Sequence, residues 1–176
     1  MTQPELQTIA VAAAINHGLD PALVCSVCRH ESSWDPYAWN PEPDYRYLWD
    51  VKLKRPFRKL TPWERSSETP PEDFHALIGD RDQEWWGQQI SWGLMQVMGG
   101  VAREQGFSGR YLTQLCEPLD NVIQGCKRLR RALGKNGGVV HAALLDYNGG
   151  GNANYPDLVM GHFNDYAYLN SATRTP

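Results

Sequence analysis

Apolar residues fall at helical spacing along most of the chain, and polar residues interrupt them at a few abrupt points. From Pro4 to His17, PELQTIAVAAAINH combines helix formers with apolar residues three and four apart, and Gly18 stops it. Asp20-Pro21 offers an N-cap followed by a good first helical residue, so a second helix is expected from Pro21 to Ser32 or Ser33. Pro36 bars it from going further. Shorter helical patterns follow in GGVAREQGF, ended by Gly106, and in SGRYLTQLCE. Pro118 to Leu133 reads as a helix closed by Gly134, Gly138 to Tyr147 as an apolar helix that stops at NGGG, and Asn154 to Leu169 as the last one. No sustained alternation of period two occurs, so strands are few and the fold class is mainly α. Approximately residues 41–90 break the pattern with proline, charge and aromatics, and short helices are expected there at Thr61-Pro62 and at Pro71. An irregular segment of that length in a small domain is usually a functional insertion or a lid.

The 176 residues are one domain's worth, with that stretch as an insertion in it. A hydrophobic content of 41% and a charged content of 21% are ordinary for a globular protein and exclude wholesale disorder. A net charge of −3 argues against a nucleic-acid partner, whose phosphates call for a basic protein. No apolar run approaches the roughly 18 residues of a membrane span. TIAVAAAI is too short for one and lacks a basic region before it, so it reads as a buried helix rather than a secretory signal. The chain is therefore expected to be made in the cytoplasm.

Seven tryptophans and eight tyrosines are many for this length. Such rings stack on sugars, but they fill cores more often, and Tyr45, Tyr47, Trp49, Trp63, Trp85 and Trp86 carry both readings. Of the four cysteines, Cys25 and Cys28 share a helix face with Val24 and Val27 and read as buried thiols. A zinc or redox role for this C-x-x-C, or a disulfide to the region of Cys116 and Cys126, are the other readings.

The sharpest feature is HESSW. Glu31 falls in the last turn of a mostly apolar helix, where the macrodipole favours cations and raises a carboxyl's affinity for its proton. Two further polar motifs interrupt apolar segments: SWGLMQ, with Ser91, Met95 and Gln96, and YNGGG, with Tyr147 and Asn148. Each has a bland explanation. Asn148-Gly149 makes a good helix cap and turn, Ser91 an N-cap, Gln96 a surface residue. Three such breaks together suggest one cleft, where glycines let backbone approach a ligand and Gln96 and Asn148 both donate and accept.

The order Glu-Ser, Gly-Leu-Met-Gln, Tyr-Asn-x-Gly resembles the lytic transglycosylases of the soluble (SLT) type and, more distantly, the goose-type lysozymes. The stretches that carry it are VCRHESSWDPYAWNPE, GLMQVMGGVAREQGF, LCEPLDNVIQGCKRLRRAL and AALLDYNGG, spanning most of Ala22 to Gly150 apart from the insertion. GLMQV, and the P-x-x-N-x-x-x-G of Pro118, Asn121 and Gly125, are its specific elements. The chain departs from the family in Ala38-Trp39-Asn40, where a serine is usual, and in the length of the insertion.

The resemblance implies a lysozyme-like α-helical domain, with Glu31 as catalytic acid and base and Ser32 touching substrate. It implies Met95 and Gln96 on the groove's floor, and Tyr147 and Asn148 positioning sugar and glutamate. The implied partner is the peptidoglycan glycan strand, cut between N-acetylmuramic acid and N-acetylglucosamine by a monomer needing no metal and no cofactor. An apolar helix end, with Trp34 or Met95 nearby, would keep Glu31 protonated. A hydrolytic lysozyme would need a second carboxylate. Glu42, stiffened by flanking prolines, is the first candidate, ahead of Asp35, Asp44, Asp80, Asp82 and Glu84. A non-catalytic glycan-binding module is a further alternative. With no signal segment expected, action on the cell wall points to phage-type release or to a virion component.

Overall fold

The computed structural model describes residues 1–42 and 44–172. Its centre is α2, Pro21–Ser32. Asp20 caps this helix, its Oδ1 accepting from the amides of Ala22 and Leu23 at 2.8 and 3.2 Å. Every residue from Pro21 to Cys28 is buried, so the first two turns of the helix are enclosed on all sides, as an all-round apolar stretch must be. The one hydroxyl in that run, Ser26, donates to the carbonyl of Ala22 at 2.7 Å.

Helix α1 (Gln3–Asn16) packs on α2 and, further along, on α6 (Pro118–Lys135). Helix α7 (Val140–Tyr147) lies on α6, and α8 (Tyr155–Gly161) and α9 (Phe163–Tyr166) close over α2, followed by α10 (Tyr168–Ala172). The last helix expected from the sequence is thus three short ones. Gly134 does not end α6. The helix runs through it, and the reversal falls to Gly137 and Gly138 at φ +61° and +81°.

Between α2 and α6 the chain makes short strands. β1 (Trp39–Pro41), β4 (Ile90–Trp92) and β5 (Val97–Met98) form a three-stranded antiparallel sheet with Asn40 opposite Ser91 and Ser91 opposite Met98. Helix α5 (Gly99–Glu104) follows it, and a 3₁₀ turn occupies Leu112–Cys116. Residues 41–90 also hold a hairpin of β2 (Trp49–Asp50) and β3 (Arg55–Pro56), helix α3 (Pro62–Ser66) and helix α4 (Arg81–Gln88). Thr61 caps α3 as expected, but Pro71 starts no helix, and α4 instead begins at Asp80, whose Oδ1 accepts from Asp82 and Gln83. This stretch has its own small core of Leu48, Leu60, Phe74 and Trp85, with Phe57 against it. Rings Phe57–Phe74 and Phe74–Trp85 meet edge to face at 5.2 and 5.1 Å.

The cysteines are all free, three of them buried, and burial pushes the thiols of Cys25 and Cys126 up to about 12. Such thiols are neutral packing groups rather than metal ligands. Among the described residues no cluster of three or more metal-binding side chains occurs, and no helix is long and apolar enough to cross a membrane.

Candidate active site

Glu31 stands where α2 runs out. Ser33 closes the helix in the left-handed conformation (φ +52°), Trp34 follows at φ +69°, and the chain turns sharply away. The Glu31 carboxyl is part-buried and accepts a 2.5 Å hydrogen bond from the phenol of Tyr155, itself 2% exposed on the first turn of α8. His30 braces that ring edge-on at 5.1 Å. Burial pushes the Glu31 carboxyl up to about 7, and the Tyr155 bond, which favours the charged form, offsets only part of it. The charge of Glu31 in turn reaches the phenols of Tyr147 and Tyr155 and the thiol of Cys28, all held above their ordinary values mainly by burial.

Opposite the helix end lies the turn between β4 and β5. Gly93 occupies it at φ +66°, and any Cβ there would come within 2.6 Å of both the Asn121 side chain and the carbonyl of Leu115. Three helices grip this turn. The Ser32 hydroxyl reaches from α2 to the carbonyls of Leu94 (3.0 Å) and Cys28 (3.1 Å), and the Tyr147 phenol from α7 to the carbonyl of Met95 (2.7 Å). Asn121 on α6, fully buried, accepts from the Met95 amide at 2.8 Å and donates to the Trp92 carbonyl at 2.6 Å. Gln96, at φ +45°, folds its amide back into the same turn. Its Nε2 donates to the carbonyls of Gly93 (2.9 Å) and Ala38 (3.2 Å), which fixes the amide's orientation, and its Oε1 accepts from Ser91 at 2.8 Å.

Around this turn opens a cleft of about 860 Å³. Glu31, Ser91, Gln96, Tyr147 and Asn148 line it, and so does Glu42 on the loop after β1. A family model described as Transglycosylase SLT domain matches residues 8–157. The chain belongs to that family. No match to it is found among curated proteins or among solved structures.

Membership makes the SLT chain a peptidoglycan lytic transglycosylase in general terms. Two of the residues singled out in the sequence lie outside the cleft's lining. Met95 is fully buried beneath the cleft, its side chain against Gly125 of α6, because a glycine there leaves room for the thioether. Ser32 spends its hydroxyl on the two carbonyls just named, so it holds the turn instead of facing sugar. Trp34 is buried with its Nε1 donating to Tyr166 at 2.9 Å.

Of the acidic candidates, Asp44 joins Glu42 in the lining. Asp35 caps the amide of Tyr37, Asp80 caps α4, and Glu84 is buried against Arg103. Pro43, one of the two prolines beside Glu42, lies outside the described residues. Among the insertion's aromatics only Tyr45 lines the cleft: Trp85 is core and Trp63 is exposed. Two contributors had no sequence signal of their own. Tyr155 looks like any core tyrosine until α8 folds over α2, and Arg128 like any charge on an amphipathic helix until α6 faces the cleft.

Proposed function

We propose that the chain cleaves the β-1,4 bond between N-acetylmuramic acid and N-acetylglucosamine by non-hydrolytic transglycosylation, with Glu31 as acid and then base. The observation that carries this reading is a carboxyl with its proton affinity raised to about 7, part-buried, and opening on a cleft large enough for sugars. Protonated Glu31 gives its proton to the glycosidic oxygen as the C1–O bond breaks. The acetamido oxygen of the muramoyl residue then closes on C1, so no protein nucleophile is needed. The Glu31 carboxylate next takes the proton of the muramoyl C6 hydroxyl, O6 bonds to C1, the acetamido oxygen leaves, and a 1,6-anhydro ring results. Asn148 is exposed at the cleft, its Oδ1 engaged by the Asn152 amide at 3.1 Å, which leaves its amide N–H groups for sugar oxygens. Ser91 and Gln96 shape the floor through the bonds they make to each other and to the turn.

Glu31→Gln keeps the shape and removes the proton, and clearing of purified cell walls should fall about a hundred- to ten-thousand-fold. Retained clearing would defeat the assignment. Mass spectrometry of the digest reads the reaction: anhydromuramoyl ends support the lyase, free reducing ends exclude it.

Glu42 supports a second reading, a hydrolytic muramidase. Its carboxylate shares the cleft with Glu31 and accepts from Asn40 Nδ2 at 2.6 Å. Reducing-end products together with a large loss in Glu42→Gln would move the assignment to hydrolysis. Under either reading the chain acts on the cell wall, reached by phage-type release or as a virion component. Wall lysis that needs a co-expressed membrane-pore protein would support the first route.

A further inference from the structure

Every cation on α6 has a visible partner: Lys127 and Arg130 donate to the carbonyls of Gln105 and His17 at 3.2 and 2.6 Å. Arg131 pairs with Glu104 at 2.6 Å, and Lys135 with the Asp146 carboxylate at 2.6 Å. Arg128, one turn before Arg131, is part-buried, and it alone among the described cations lines the cleft that holds Glu31. One Nη of its guanidinium donates to the main-chain carbonyl of Asp146 at 2.7 Å, and no carboxylate among the described residues lies within ion-pair distance. The phenols of Tyr45, Tyr47 and Tyr147 sense its charge, and Tyr45 and Tyr147 line the cleft with it. The carboxylates that share the cleft, Glu31, Glu42 and Asp44, are otherwise engaged, with Tyr155, Asn40 and Arg46 respectively. A part-buried guanidinium held in place by a carbonyl, with most of its N–H fork unspent, is built to receive a planar anion.

Resting on the function proposed above, we infer that Arg128 binds a carboxylate carried on the 3-O substituent of a muramoyl residue in the cleft. Two sources share this chemistry. One is the lactyl carboxylate of a glycan strand stripped of its peptides, and the other is the acidic residues of an intact stem peptide. A neutral glycan such as chitin offers neither, so Arg128 would select muramoyl strands over neutral ones.

The test compares stripped strands with the same strands capped as methylamides, and stem-bearing strands with their capped counterparts, using the full chain. Capping should lower the kcat/KM of the unaltered chain about ten-fold, the scale of one charge-assisted contact. It should have little effect on Arg128→Gln, which keeps an N–H for the Asp146 carbonyl. Arg128→Lys should keep part of the sensitivity, and thermal melts check that both variants are folded. A capping effect on stripped strands assigns the lactyl group, and one only on stem-bearing strands assigns the peptide. Equal capping effects in the unaltered chain and Arg128→Gln overturn the inference. So does a variant whose only change is a shifted pH profile, since Arg128 would then serve Glu31 rather than substrate. Failure of the unaltered chain to cleave any strand overturns the function itself, and this inference with it.

Discussion

Glu31 is held in two opposing ways, and both have a measurable consequence. Burial raises its affinity for a proton, and the Tyr155 phenol, donating at 2.5 Å, lowers it. In the proposed mechanism the acid form does the first chemical step, which predicts that kcat/KM declines as pH rises through about 7. Tyr155→Phe removes the donor, so the carboxyl titrates higher still and the alkaline limb moves up in pH, while the loss of positioning costs about ten- to a hundred-fold in kcat. An unmoved limb would mean that Tyr155 only packs. The same shift fixes a stability trend. At pH 4 the carboxyl is protonated both folded and unfolded. Between 4.5 and about 7 the unfolded chain loses its proton while the folded one keeps it, so the stability that the protonated carboxyl contributes is lost as pH rises through that window. The total is on the order of 3 kcal/mol. Glu31→Gln, which cannot titrate, should therefore melt near the unaltered chain at pH 4 and clearly above it at pH 8. A gap that does not widen with pH would show a well-solvated carboxyl.

The elements matter because none of them builds the site alone. The β4–β5 turn is fixed from α2 by Ser32, from α7 by Tyr147 and from α6 by Asn121. Asn121→Leu has a similar volume but takes their side-chain partner from the buried Met95 amide and the Trp92 carbonyl, at about 1–3 kcal/mol for a group left unpaired. The variant should lose several degrees in Tm and much of its activity, although Asn121 is fully buried below the cleft; unchanged activity would show that the turn holds its shape without the staple. What could be read from the sequence follows the same division. Helix α2 was legible at both ends, because Asp20-Pro21 and Pro36 are local signals, and Glu31 was legible with it. Local punctuation misled where tertiary packing decided: α6 ran through Gly134, the last helix broke at His162 and Ala167, and α4 began at Asp80 rather than near Pro71. Met95 and Ser32 were expected in the groove from the resemblance, and neither lines the cleft. A matching motif does not say which side of a turn a side chain takes. Asn121 stood out as part of a motif, but its job of tying α6 to the turn needs the fold to be seen.

At the scale of the whole molecule, the cleft has two kinds of wall. Glu31, Tyr147 and Asn148 come from the main helices, while Glu42, Asp44 and Tyr45 come from the start of the insertion. The walls stay in register only if the insertion is firmly joined to the body. One buried link does this, and it starts from a helix tied into the insertion itself. Gln88 on α4 accepts from the Trp49 amide at 2.8 Å and donates to its carbonyl at 3.1 Å, which holds α4 to β2. Glu84, also on α4, meets Arg103 of α5 through paired 2.8 Å bonds, and Arg103 spends its remaining nitrogen on the carbonyls of Phe107 and Gly109 at 2.8 Å each. Both side chains are almost wholly buried, so removing one partner strands the other. Glu84→Leu should cost about 3–5 kcal/mol. The double variant Glu84→Leu with Arg103→Met should recover much of that loss, since a buried pair replaced by apolar groups leaves no lone charge. Kinetics separates joint from chemistry. If the pair serves to hold the insertion's wall, the folded double variant raises KM for glycan strands while its alkaline limb stays where Glu31 sets it. If instead kcat falls and the limb moves, the link reaches the Glu31 carboxyl, and the division of the cleft into a reacting wall and a holding wall is wrong.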